Sequence, residues 1–296
     1  MQRDDIESIV RQAGQLALDY FHRRGSLTVE MKHRQDLVSE ADWAVEQFLR
    51  ARIRELFPQD AILGEEYGFE PVASDISAPS VSLDLSKPSE FGQPENDAVW
   101  VIDPIDGTTN FLRGIPEFAV TLCRVVQGEP QQGYIYQPSK DEMLSAVYQQ
   151  GAWFNGQPYR INPNPVTPET ALLGIGYGLK SDCPERAIAM LTQWTDAGCL
   201  SRQVGSAAVG LCMAILGQTD GFYEPFLNSW DALAGQLIAV ETGLNSSSFL
   251  CGEKLMTGGA VWVSRPELFD LVVLEKGKGK REKGKVKKPM SEIREG

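Results

Sequence analysis

The twelve residues "WVIDPIDGTTNF" at positions 100–111 constrain the fold more than any other stretch of the chain. A short apolar run reads as a strand, yet it ends in two carboxylates, Asp103 and Asp106, set around Pro104 and Ile105. Asp-Pro favours a turn, and proline has no N–H for a sheet ladder. Gly107 follows, a residue that lets the backbone turn and lets an anion come close. This is a poor way to build a buried strand and a good way to hold a divalent cation over a phosphate. An ordinary strand-to-turn transition is the duller alternative, since single motifs match by chance.

The flanking patterns say what surrounds this segment. Residues 5–24 place Ile6, Ile9, Val10, Ala13, Leu16, Ala17, Tyr20 and Phe21 at helical spacing, and residues 39–58 repeat the pattern. Ser39 and Asp42 start that second helix as a capping box would, and Pro58 follows its end. "LTVEMK" and "AILG" read as strands, as do "AVWVID", "FAVTLCRVV" and "QGYIYQP". Helical patterns at 184–197, 206–217 and 229–242 alternate with the short strands "ALLGIGY" and "DGFYE". Strands and helices mix throughout, which favours a layered α/β (α+β) sandwich. Residues 68–98, rich in Pro, Ser and acids, read as a long surface loop.

Composition narrows the function. With 296 residues, 42% of them apolar, the chain can bury one large core or two modest ones. No apolar run approaches the ~18–20 residues that span a bilayer, and "MQRDDIESIV" does not read as a secretory signal. A cytoplasmic protein without a membrane partner is expected. Five scattered cysteines with no C-x-x-C pair suit reduced thiols better than a disulfide framework or a zinc ribbon. The last 22 residues hold nine Lys/Arg against four Glu, whereas the preceding 274 hold 19 basic and 36 acidic groups, a balance of −17. So acidic a body argues against nucleic acid as a partner. The domain is therefore expected over 1–274, with a low-complexity basic tail at 275–296 that composition reads as disordered.

Two aspartates near a phosphate suggest two templates. A nucleophilic aspartate uses D-x-D-G-T and passes through an aspartyl-phosphate. Here the spacing is one residue longer, which suits two acids converging on shared metal ions with water as the nucleophile. Carboxylates and carbonyls are hard oxygen ligands, the set that suits Mg²⁺. His22 and His33 lie far from the motif in sequence and offer little to a zinc site.

The segment resembles the signature of the inositol monophosphatase family of Mg²⁺-dependent, lithium-sensitive phosphatases. Three further segments resemble family motifs in the same order: "DLVSEAD" (36–42), "ILGEE" (62–66) and "SWDALAGQLIAVETG" (229–243). The resemblance covers roughly residues 5–270 and implies a layered αβαβα sandwich of the inositol monophosphatase and fructose-1,6-bisphosphatase type. It implies a first metal held by Glu65, Asp103 and the Ile105 carbonyl, and a second held by Asp103, Asp106 and Asp231. A third, weaker ion would sit near Glu65. Thr108, oriented by Asp42, would help Glu65 activate the attacking water. Gly107 and Thr108 would meet the phosphate, and Gly205, Ser206, Ala207, Glu224 and Asp231 would contact the rest of the substrate. Lys32 resembles a basic residue near the phosphate.

Each assignment has a plainer alternative. Asp42 and Asp231 could serve only as acids in the first turn of a helix. Glu66 could make a structural hydrogen bond, and Glu224 could be an exposed strand end. Two features depart from the family pattern: the long 68–98 stretch, and Leu244 where a second glycine would follow Gly243. The expected activity is hydrolysis of myo-inositol 1-phosphate or a similar polyol or sugar monophosphate, by a homodimer. Fructose 1,6-bisphosphate, 3′-phosphoadenosine nucleotides and histidinol phosphate are the alternative substrates. A regulator binding transcription or RNA-processing machinery is the alternative of a different class.

Overall fold

The computed structural model describes residues 3–33, 36–72, 98–162, 164–178 and 182–273. The basic tail and residues 73–97 of the expected loop lie outside the described residues, as does the side chain of Lys32.

The chain opens with helix α1 (Arg3–His22), then strands β1 (Val29–His33) and β2 (Asp36–Ser39), an antiparallel pair leading into helix α2 (Glu40–Leu56). Ser39 caps α2 as the sequence suggests: its hydroxyl accepts from the Ala41 N–H, and Asp42 reaches back to the Ser39 N–H. Strand β3 (Ala61–Gly64) turns back into β4 (Gly68–Glu70). The first residues of the stretch expected to be loop are therefore a paired edge strand.

Strand β5 (Ala98–Asp106) carries the acidic signature. Beyond the short helix α3 (Thr108–Arg113), strands β6 (Ala119–Val126), β7 (Glu129–Gln137), β8 (Glu142–Val147), β9 (Gly151–Phe154) and β10 (Gln157–Tyr159) form an antiparallel meander. The eight-stranded sheet runs β10-β9-β8-β7-β6-β5-β3-β4, with β3 parallel to β5. Alternation along β5 splits its side chains between two cores. Trp100 and Ile102 join α1 and α2, whereas Val101 joins the opposite face.

The second half supplies strand β11 (Leu172–Ile175), helix α4 (Cys183–Asp196), strand β12 (Leu200–Arg202), helix α5 (Ala207–Ile215), strand β13 (Gly221–Leu227) and helix α6 (Ser229–Thr242). Strand β14 (Asn245–Ser246), helix α7 (Lys254–Thr257), strand β15 (Gly259–Ser264) and helix α8 (Phe269–Val272) complete it. The five-stranded sheet runs β12-β11-β13-β15-β14. Leu244, the departure at the end of α6, is buried, and β14 pairs with β15 directly after it.

The layers follow from the apolar faces. Helices α1 and α2 cover one face of the large sheet, and α5 and α6 lie between the two sheets. Helices α4 and α8 close the outer face of the small sheet through Ala187, Met190, Trp194, Leu268 and Val272. Helix α5 is buried along its whole length, which is why its sequence "AAVGLCMAI" shows no polar face. The result is the αβαβα sandwich. It directs the end of β5 and the starts of α3, α5 and α6 to one place.

Candidate active site

Pairing of β5 with β6 is regular up to Asp103 and resumes at Asp106 with a register shift, because Pro104 interrupts the ladder. The Asp103 carboxylate turns back to accept the Ile105 N–H at 3.0 Å. Gly107, at φ +99°, then ends the strand and starts α3, a conformation that side chains disfavour. A Cβ there would also press on the Glu117 carbonyl and on Ser206. Asn110, buried in α3, donates from Nδ2 to the carbonyls of Glu117 at 2.8 Å and Val204 at 2.9 Å, tying α3 to the segment before Gly205. The sequence reading missed Asn110, whose role depends on contacts 94 residues apart.

Asp103, Asp106 and Asp231 converge: one carboxylate oxygen from each lies within 4.8 Å of the others. They come from the end of β5 and the first turn of α6. Asp106 Oδ2 accepts the Ala208 N–H at 2.7 Å and the Ser206 hydroxyl. Ser206 in turn caps α5, accepting the Val209 N–H at 3.1 Å. Two of the residues read as substrate contacts, Ser206 and Ala207, thus sit against Asp106, and Gly205 precedes them at φ +84°. Asp231 Oδ2 accepts the Asn228 N–H at 2.7 Å, so it caps α6 as well as joining the cluster.

Asp42 likewise does two things. Its Oδ2 accepts the Ser39 N–H and hydroxyl, at 2.8 and 2.7 Å. Its Oδ1 lies 3.3 Å from Thr108 Oγ1, which is also 3.1 Å from the Ile105 carbonyl. The plain capping role and the contact with Thr108 coexist. Glu65 is outside the three-aspartate group, and its N–H donates to the Ile102 carbonyl, one residue before Asp103.

The electrostatics are those of crowded anions. Asp103 is 1% exposed, and its pKa is pushed well above the usual range by burial first, then by the charges of Glu65, Asp106, Asp231 and Asp42. Burial also raises Asp106. Asp231 rises to about 7, through burial and the Asp106 charge, against hydrogen bonds that lower it. Glu224, half-buried in β13 and not an exposed strand end, rises to about 8 through burial. Its Oε1 accepts the Gly178 N–H at 3.0 Å, and the charges of Asp231 and Asp106 reach it.

Such a cluster fits a cation. The donors are all oxygens, and the repulsion among them is relieved by positive charge, which the side chains of the cluster do not supply. A thermal consequence follows. The folded protein holds protons that the unfolded chain has released, so without a cation stability falls as pH rises. The window runs from about 4, where an unfolded aspartate titrates, to the raised value of about 7 at Asp231. In EDTA, Tm is expected to drop between pH 5 and pH 8 by on the order of 5 °C, at about 2–4 °C per kcal/mol. Mg²⁺ should flatten the profile. A Tm in EDTA that ignores pH would mean that the cluster is not strained.

A five-layered α/β sandwich with an acidic centre at the end of a β-strand is the architecture of a metal-dependent phosphatase. The profile of the inositol monophosphatase family matches residues 3–275, and the chain belongs to that family. The Nus factor SuhB of Pasteurella multocida is 31% identical over 260 residues, covering 87% of this chain and 89% of its own. The Nus factor SuhB of Pseudomonas aeruginosa is 30% identical over 262 residues, with 88% and 89% covered. Among solved structures, the extragenic suppressor protein suhB of Bartonella henselae superposes with a TM-score of 0.74 at 26% identity, covering 89% of this chain and 94% of its own. An inositol monophosphatase (IMPase) of Thermotoga maritima gives 0.70 at 27% identity, with 91% and 94% covered.

Proposed function

We propose that the protein is a Mg²⁺-dependent phosphomonoesterase that hydrolyses myo-inositol 1-phosphate, or a similar polyol or sugar monophosphate, by direct in-line attack of water. The observation that carries this reading is the convergence of Asp103, Asp106 and Asp231 beside Glu65 and the Asp42–Thr108 pair. Glu65, Asp103 and the Ile105 carbonyl would hold one Mg²⁺, Asp103, Asp106 and Asp231 a second, and a weaker third would sit near Glu65. When bound, Mg²⁺ makes water more acidic and neutralises charge on the phosphate and the leaving oxygen.

The chain's own groups handle the proton. Thr108 Oγ1 has one hydrogen and two acceptors in reach, Asp42 Oδ1 and the Ile105 carbonyl. Donating to Asp42 leaves its lone pairs to accept from water, and Glu65, whose charge acts on Asp103, would be the second acceptor. Gly107 and Thr108 would present the phosphate with backbone N–H groups at the start of α3. No covalent phosphoenzyme is needed. The cytoplasm as its location, residues 1–274 as one domain and a homodimeric state belong to the same proposal. No helix among the described residues is long and apolar enough to cross a membrane.

Turnover of inositol 1-phosphate, fructose 1,6-bisphosphate, a 3′-phosphoadenosine nucleotide and histidinol phosphate, each with and without Mg²⁺, tests the substrate. Activity on none of the four would sink the reading. Lithium is expected to inhibit by occupying the Asp103–Asp106–Asp231 position. Full activity at high lithium would move the protein to another branch of the fold.

Glu224 is read as the residue that recognises the alcohol. Above about pH 8, where Glu224 carries its charge, a hydrogen bond to it contributes about 1.5–3 kcal/mol. Glu224→Ala should therefore lower kcat/KM for inositol phosphate roughly ten- to hundredfold. Hydrolysis of p-nitrophenyl phosphate, which has no ring hydroxyls, should be unaffected. Equal losses on both substrates would assign Glu224 to support of the site instead.

The Nus factor name of the curated relatives favours a second, regulatory reading, in which contacts with transcription or RNA-processing machinery do not depend on catalysis. Pull-downs with the full chain and with residues 275–296 removed separate a tail-dependent contact from one made by the folded body.

A further inference from the structure

Glu46 lies in α2 one helical turn beyond Asp42, on the face turned into the protein, and it is 0% exposed. The Glu66 N–H donates to its Oε2 at 2.7 Å. The Tyr67 N–H and Arg50 Nε donate to its Oε1, at 3.2 and 2.8 Å. Gly64 lies flush against this carboxylate, and a Cβ there would overlap it. Arg50 is held in turn by Glu70 Oε2 at 2.8 Å and by the Gly68 carbonyl at 2.5 Å. A buried carboxylate is tolerable only when paired and hydrogen-bonded in this way. An apolar side chain would fill an interior helix position at less cost. Stability alone therefore does not explain an acid here.

The consequence falls on Glu65. Its own N–H is held by the Ile102 carbonyl on β5, and the next N–H, that of Glu66, is held by Glu46 on α2. Both peptide groups flanking the Glu65 Cα are thus pinned, one to the strand that carries Asp103 and one to the helix that carries Asp42. We propose that Glu46 is the positioning residue for Glu65: with Arg50 behind it, it fixes where the Glu65 carboxylate stands relative to Asp103, and so sets affinity at the first metal position. The proposal rests on the reading of Glu65 as a metal ligand. It also explains the glycine of "ILGEE", which leaves room for the Glu46 carboxylate.

The test uses the full-length protein, with Mg²⁺ binding measured by calorimetry alongside the Mg²⁺ dependence of hydrolysis. Glu46→Gln keeps the shape but removes the charge and sets an amide donor among donors. It should weaken Mg²⁺ binding about 10- to 100-fold, the usual effect of removing a group that orients a ligand. Most of kcat should return at saturating Mg²⁺. Gly64→Ala displaces the carboxylate without altering its charge, should shift affinity in the same direction, and carries the test if Glu46→Gln does not fold. In a Glu65→Gln background, Glu46→Gln should cost no further Mg²⁺ affinity, whereas any loss of Tm should persist. Unchanged affinity in Glu46→Gln, or the same loss with Glu65 already neutral, would overturn the proposal and leave Glu46 a structural residue. Failure of the wild-type protein to bind Mg²⁺ at all would instead overturn the metal reading beneath it.

Discussion

Asp103→Asn is expected to abolish Mg²⁺-dependent hydrolysis while leaving the fold intact. Asp103 is assigned to both metal positions, so one amide removes a charged ligand from each. Metal stabilisation of a phosphoryl transition state contributes several kcal/mol, so the loss should be at least about 10³-fold. The same change should stabilise the metal-free protein, because it removes an acid whose ionisation is opposed by burial and by Glu65, Asp106, Asp231 and Asp42. Opposite signs in activity and in Tm under EDTA are the signature. Turnover near wild type at saturating Mg²⁺ would mean that Asp103 does not bridge two ions. A lower Tm in EDTA would mean that its hydrogen bond to the Ile105 N–H outweighs the repulsion.

Thr108→Val should produce the second largest loss, and by a different route. Valine keeps the volume and removes the hydroxyl that stands between Asp42 Oδ1 and the Ile105 carbonyl. If that hydroxyl relays the water's proton, kcat should fall by roughly 10²–10⁴, the range for a positioned acid or base. Mg²⁺ affinity should change little, since no ligand is altered. A loss appearing mainly in Mg²⁺ affinity would make Thr108 a support for the Ile105 carbonyl rather than a proton carrier. Asp42→Asn distinguishes further: its Oδ2 bonds to Ser39 also cap α2, so it should lower Tm as well as kcat, whereas Thr108→Val should lower kcat alone.

Much of the fold was legible because its signals are local. The 3.6-residue spacing of α1 and α2, the capping box at Ser39 and the apolar runs of β5, β6 and β7 all act over a few residues. Where the signal was weak, the reading missed elements. Strands β12 and β14 are three and two residues long, and each exists only through pairing with a neighbour. Strand β4 sits in a stretch of polar and acidic character, and it pairs because β3 presents an edge beside it. Periodicity carries no information about an edge.

By itself, the sequence singled out candidate residues for the chemistry. A proline between two aspartates and a glycine after them marked Asp103 and Asp106, and resemblance to the family's ordered motifs marked Asp42, Glu65 and Asp231. Only the tertiary structure decided how they are placed. It brought the end of β5 and the start of α6, 125 residues apart between Asp106 and Asp231, within carboxylate contact. It set Asp106 and Asp231 in the cluster while they accept N–H groups at Ala208 and Asn228, and it set Asp42 between the cap of α2 and Thr108. It also set Glu46, which no motif marked, and Asn110, which stands in the signature without a role read for it, beneath the turns that present the site. The physical reason is that a side chain's chemistry is intrinsic to it, whereas its burial, its charged neighbours and its hydrogen-bond partners belong to residues distant in the chain.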